Sequence, residues 1–338
     1  MAYTTIKKPS DYFNTKLYTG NGSNNYIITG VGFDTDLAWI KNRGGDDHRL
    51  FDKVRGVNKF IKSNSNVVQT TDAIFTTNSD GYELTNAGEV NATGGNFVGW
   101  NWKANGAGSA NTNGSISSTV SANTTSGFSI VSYTGTGSNA TVGHGLGSAP
   151  SMIIVKNLSS AYEWGVYHKS LGATQNIYLD STGAAGSATF WNNTEPTSSV
   201  FNVGSTLYTN GSGQNYIAYC FAEKQGFSKF GSYTGNGNAD GAFIYTGMKP
   251  AFLMAKRTDV GDPWVMIDNK RNSFNALSNT LLANSAGAED TGTDRADFIS
   301  NGIKIKTTST AWNASGGNYI YMSFAEEPLV GDNPCTAR

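Results

Sequence analysis

Tyr216-Ile217-Ala218-Tyr219-Cys220-Phe221-Ala222-Glu223 and Tyr319-Ile320-Tyr321-Met322-Ser323-Phe324-Ala325-Glu326 repeat one pattern, and Phe97-Val98-Gly99-Trp100-Asn101-Trp102-Lys103-Ala104 is a third, more divergent copy. Successive side chains of a strand point to opposite faces, so aromatics at both parities predict a central strand covered on both sides. The same order of elements precedes each copy. Tyr-Thr-Gly opens it at Tyr18-Thr19-Gly20, Tyr133-Thr134-Gly135 and Tyr233-Thr234-Gly235, with a further Gly at 22, 137 and 237. These openings recur roughly 100 residues apart, a length that suits one β-sandwich.

Between opening and closing strands lie three more matching elements. An apolar run ends in a base at Leu37-Ala38-Trp39-Ile40-Lys41, Met152-Ile153-Ile154-Val155-Lys156 and Phe252-Leu253-Met254-Ala255-Lys256. Runs this short and apolar predict strands buried on both faces. Next come Leu50-Phe51-Asp52, Trp164-Gly165-Val166-Tyr167 and Trp264-Val265-Met266-Ile267-Asp268, which places His168 at the position of Asp52 and Asp268. The last matching set is Lys59-Phe60-Ile61-Lys62-Ser63, Asn176-Ile177-Tyr178-Leu179-Asp180-Ser181 and the weaker Leu281-Leu282-Ala283-Asn284-Ser285.

The expected fold is all-β: three tandem antiparallel β-sandwich modules of jelly-roll or lectin-like type. The chain divides into an N-terminal arm (1–17), module 1 (18–104), a Gly/Ser/Asn/Thr-rich linker or arm (105–125), module 2 (126–226), module 3 (227–330) and a C-terminal tail (331–338). Only nine residues separate Glu223 from Tyr233, so modules 2 and 3 are expected to touch.

Composition narrows the function. Charged residues are 14% of the 338 residues, against about 25% in average globular proteins. A net charge of −1 with 12% aromatics argues for a folded chain. It also gives no basic patch of the kind that neutralises phosphates, so no nucleic-acid partner is expected. The N-terminal residues lack a signal-peptide apolar core and no stretch is long and apolar enough to span a bilayer, so neither signal-directed export nor membrane insertion is expected. Two cysteines give no disulfide framework, and Cys220 reads as a small buried hydrophobe.

No catalytic constellation is evident and no cofactor is expected. His48 and His144 read as residues of polar turns, and His168 as a strand-end polar residue. Glu163, Glu195 and Glu289 are the carboxylates a glycan-cleaving site would use, but they fall in unrelated loops. Asp290, Asp294 and Asp297 form a fragment of an oxygen-rich calcium loop without its remaining ligands; a solvated turn is the simpler reading. Most of the seven tryptophans sit in repeat strands, where they fill core. Trp191 and Trp312 lie near polar loops and are the aromatics to examine for ligand binding, since rings stack on sugar faces.

The segments Leu17-Tyr18-Thr19-Gly20-Asn21-Gly22, Ala38-Trp39-Ile40-Lys41-Asn42-Arg43, Phe51-Asp52-Lys53-Val54-Arg55-Gly56 and Val98-Gly99-Trp100-Asn101-Trp102-Lys103-Ala104 resemble virion structural proteins of marine bacteriophages, described as tail-fibre-like or lectin-like. The ends Phe324-Ala325-Glu326-Glu327-Pro328-Leu329-Val330-Gly331 and Thr336-Ala337-Arg338 are similar to that family too. The resemblance implies a non-enzymatic protein at the virion surface that assembles with other virion proteins and with its own copies. It also implies a host surface glycan or protein as partner. Two placements follow from it: a tail fibre used in attachment, or a capsid decoration protein that would lay residues 1–16 or 105–125 across neighbouring coat subunits. A virion enzyme that degrades host polysaccharide is the third class.

Overall fold

The computed structural model describes residues 3–331 and Cys335. It is all-β, with every strand pairing antiparallel. Each module has one large sheet with a small sheet packed on its outer face. In module 1 the large sheet runs Phe13–Thr19, Asn96–Trp102, Leu37–Asn42, Arg49–Asp52, Lys59–Ile61, Thr70–Thr71, and the small one Tyr26–Ile28, Gly81–Leu84, Phe75–Asn78. Module 3 keeps this order with Ser228–Thr234, Asn318–Pro328, Met248–Arg257, Trp264–Asp268 and Leu281–Leu282. Module 2 has Phe128–Thr134, Asn215–Phe221, Met152–Asn157, Gly165–His168, Gln175–Tyr178 and Gly186–Ser187, and two additional strands at its opening edge.

The register makes the modules superimposable residue by residue. Leu37 pairs with Trp102 and Asp52, Met152 with Phe221 and His168, and Phe252 with Phe324 and Asp268. The closing strand is central, as its alternation predicts. In module 2, Tyr216, Ala218 and Cys220 enter a private core against the small sheet, while Ile217, Tyr219 and Phe221 face the other way.

That other face defines the molecule. The inner faces of all three large sheets meet in one shared core. The equivalent Trp102, Phe221 and Phe324 form a triangle of rings, with centroids 6.2, 5.9 and 5.7 Å apart. Phe13 stacks on Phe324 at 4.8 Å and Phe128 on Phe221 at 4.9 Å. The modules are therefore not beads on a string but the three sides of a ring closed around an aromatic axis.

Two sequence expectations are corrected here. Residues 105–125 are not a linker: Ser109–Asn111 and Ser118–Asn123 are strands that extend the module 2 sheet, and buried Val120 sits in its private core. The alternation Ser118, Val120 and Ala122 is too sparse in large apolar residues to be read as a strand from sequence. Residues 3–17 of the expected arm are also part of the body. Its strand starts at Phe13, Ile6 is buried in the shared core, and Tyr3 donates to the Gly247 carbonyl of module 3 at 2.6 Å. The tail 331–338 lies outside the described residues except for Gly331 and Cys335.

The Tyr-Thr-Gly repeat has a structural origin. Tyr18, Tyr133 and Tyr233 stack on the cross-strand rings of Phe97, Tyr216 and Tyr319. Their hydroxyls donate to the carbonyls of Val90, Thr209 and Trp312. Buried Asn91, Asn210 and Asn313 then accept from the backbone N–H of residues 21, 136 and 236. A Cβ on Gly20, Gly135 or Gly235 would lie 2.2 to 2.3 Å from a carbonyl oxygen, so only glycine fits.

Candidate functional site

The seams between modules decide where a site can form. Each lysine that ends the apolar strand is buried and reaches the neighbouring module. Lys156 donates to Asn66 O at 2.9 Å, Lys256 to Thr182 O at 3.2 Å and Lys41 to Ala286 O at 3.2 Å. The three acceptors are equivalent positions, each five residues past Ile61, Ile177 or Leu281. Module 2 thus reaches 1, module 3 reaches 2 and module 1 reaches 3, a cyclic arrangement. Burial without a carboxylate partner lowers each ammonium from its ordinary range to about 8.

A second cyclic set runs through ring nitrogens. Trp164 donates to Lys62 O at 3.1 Å and Trp264 to Tyr178 O at 2.8 Å. In module 1 the equivalent residue is His48, whose Nε2 bonds Leu282 O at 3.0 Å. The backbone N–H groups of the three are capped alike by Asn64, Asp180 and Asn284. His48 is not a residue of an exposed turn, as its polar neighbours suggest, but is fully buried. Trp39 donates to its Nδ1 at 2.8 Å, which leaves the ring proton on Nε2 for Leu282. Burial holds its pKa down near 3, so the ring stays neutral.

A third position shows compensating change. Tyr219 donates to Asp52 at 2.8 Å and Trp100 to Asp268 at 3.0 Å, and each aspartate also pairs with a buried arginine, Arg55 or Arg271. The third member of the donor set is Met322, which has no proton to give. The residue it faces is His168 rather than aspartate, and Leu171 stands where Arg55 and Arg271 do. His168 instead donates to Tyr321 O at 3.1 Å, so no uncompensated charge is buried.

At the outer rim the seams differ. Between modules 1 and 3, Glu289 takes a two-bond grip from Arg43 at 2.7 and 3.0 Å, accepts from Arg271 at 3.0 Å, and its backbone N–H donates to Arg43 O. Between modules 3 and 2, the Ala185 N–H donates to Thr258 O at 2.9 Å. At the same positions between modules 2 and 1 stand Leu158 and Gln69. Among the described residues no backbone bond joins them, and Gln69 is held only by Arg55 at 3.3 Å. That seam opens into a cleft of about 570 Å³. Module 1 supplies Val54, Arg55, Lys59 and Gln69 to one wall, and module 2 supplies the added strand around Ser117–Thr119, together with Ser132, Thr134 and Asn215, to the other.

The residues singled out by sequence lie elsewhere. Trp191 is buried in the module 2 private core, edge-on to Tyr167 at 5.8 Å, and Trp312 is buried in that of module 3. Both fill core; neither is available as a stacking platform. Trp191 sits in a turn and Trp312 in the one-turn helix Thr310–Asn313, and their polar sequence neighbours hid their burial. Asp290 pairs with Arg295 at 2.6 Å, Asp297 lies 3.9 Å from Lys306, and Asp294 is exposed. They do not converge: among the described residues no group of three His, Cys, Asp or Glu side chains could hold a metal. Glu195 accepts from the Tyr167 hydroxyl and the Ala173 N–H, Glu289 is the seam clamp, and Glu163 is half-buried in module 2. His144 is buried too and bonds Thr197 O at 3.1 Å. The cleft itself is missed by sequence reasoning, because its outer wall comes from the segment read as a linker.

Fold and seams define a class: a single-chain ring of three β-sandwich modules with one seam left open. The chain belongs to the family described as a domain of unknown function (DUF7483), which it matches over residues 8–328. That one match spans all three modules, so the whole ring is the unit of the family. No curated protein matches the chain.

Proposed function

We propose that the protein is a non-enzymatic structural component of a bacteriophage virion, displayed at its surface as part of a tail fibre and contributing to host attachment. The observation that carries this reading is the pseudo-threefold ring, whose repeated residues are spent on joining modules to one another. A body of this symmetry suits coaxial mounting on a symmetric fibre, and virion surface parts are commonly symmetric assemblies. The sequence resemblance to marine phage virion proteins supports it independently.

Decoration of the capsid is the second reading. It calls for an arm free to lie across coat subunits, whereas residues 3–16 and 105–125 both pack on this chain's own body. That packing favours the fibre.

Immunogold labelling of intact particles with antibody to this chain tests the proposal. Label on the tail or fibres is the expected result, label over the head turns the assignment to decoration, and unlabelled particles overturn it.

A further inference from the structure

We propose that the cleft between modules 1 and 2 binds a short acidic oligosaccharide, an inference that rests on the attachment role above and gives it a ligand. The cleft is a built feature, not a fault in packing. At the other two seams the same positions are closed by the Arg43–Glu289 clamp or by the Ala185–Thr258 backbone bond. Here both closures are gone, and two strands that modules 1 and 3 lack raise a wall beside the opening. Its volume of about 570 Å³ falls within the ~300–1,000 Å³ typical of small-ligand sites.

The lining selects the chemistry. No aspartate or glutamate is among the residues around the cleft. Ser117, Thr119 and Ser132 present hydroxyls, and beside them Thr134 donates to Asn215 Oδ1 at 3.0 Å while Ser159 Oγ accepts from the Asn215 N–H at 2.9 Å, which leaves the Asn215 amide NH2 and the Ser159 proton for a ligand. A hydroxyl both donates and accepts, which matches a polyol better than it matches an apolar or purely anionic ligand. Half-buried Val54 and Leu158 offer apolar contact for the C–H face of a sugar ring. Charge lies on the module 1 wall. Arg55 is already neutralised by Asp52, whereas Lys59 has no carboxylate within ion-pair distance among the described residues. One uncompensated cation opposite a row of hydroxyls fits a sugar that carries a carboxylate or a sulfate.

The test is calorimetric titration of the full chain with trigalacturonate, a sulfated carrageenan oligosaccharide and neutral maltotriose. Binding of either acidic probe at least about tenfold tighter than maltotriose is expected, and the tighter of the two identifies the anionic group. Lys59→Glu, which reverses the charge, should weaken that binding about tenfold or more, and Ser117→Trp, which obstructs the mouth, should abolish it. Both sites are at the surface, so unchanged melting temperatures confirm that the variants fold. Absence of acidic-probe binding at millimolar concentration, equal binding of maltotriose, or wild-type affinity in both variants overturns the proposal. These outcomes are separate from particle labelling: a labelled fibre with no sugar bound sinks only the cleft, and sugar bound by a protein absent from particles sinks only the virion placement.

Discussion

The seam between modules 1 and 3 and the seam between modules 1 and 2 are built from equivalent positions, yet one is clamped and the other gapes. Both keep their inner layers: a buried lysine on a carbonyl, a ring nitrogen on a carbonyl, and a donor on an aspartate. They part only at the rim, where Arg43 and Glu289 face each other in one and Leu158 and Gln69 in the other. The inner layers fix the ring, so the rim is free to vary. Where a repeat protein must cohere, its copies change together; where it need not, they change alone.

The axis common to both seams gives the largest expected effect. Trp102→Ala removes one corner of the ring triangle and should cost about 3–5 kcal/mol, as large aromatic deletions from cores do. Chemical denaturation would read it as a single transition shared by all three modules. Independent unfolding of one module would show that the shared core is not the cooperative unit.

The rims should then separate sharply. Glu289→Ala removes the partner of Arg43 and one of the two carboxylates that hold buried Arg271, which keeps Asp268, an expected loss of about 2 kcal/mol. Gln69→Ala deletes one long hydrogen bond at the open seam and should cost under about 1 kcal/mol. Similar losses for the two would erase the distinction drawn between clamped and open seams.

A separate effect, spread over all three seams, depends on pH. Lys41, Lys156 and Lys256 lose their protons near pH 8 in the folded protein but near 10.5 when unfolded. Between those values the unfolded chain binds more protons, so stability should rise with pH. A rise on the order of 2 kcal/mol for each lysine between pH 8 and 10 is expected, before the buried tyrosines begin to oppose it. Replacing all three lysines by Met should flatten that segment of the pH profile, and an unchanged slope would assign it to other groups.

How much of this was legible in the sequence depends on scale. The three copies, their strands and the equivalence of Asp52, His168 and Asp268 follow from local patterns alone, because alternation and spacing are local properties. The recurrent base at 41, 156 and 256 was visible too, but its reach into the next module was not, since no local rule says which carbonyl a lysine meets. His48 was hidden by its polar neighbours Asp46, Asp47 and Arg49. Only the register shows that it stands where the other copies hold Trp164 and Trp264. Trp191 and Trp312 misled for the same reason in reverse, as core residues framed by turns. The cleft was out of reach because it belongs to two modules at once and to strands whose sparse apolar content mimics a linker.

Closing the ring within one polypeptide also sets valency. In a homotrimer every substitution appears three times, and a rim opened at one seam would open at all of them. Here the change from a clamp to Leu158 and Gln69 is made once and stays at one seam. Among the described residues each molecule therefore presents one open seam whatever its internal symmetry, and multivalent binding through that cleft would have to come from several molecules held side by side.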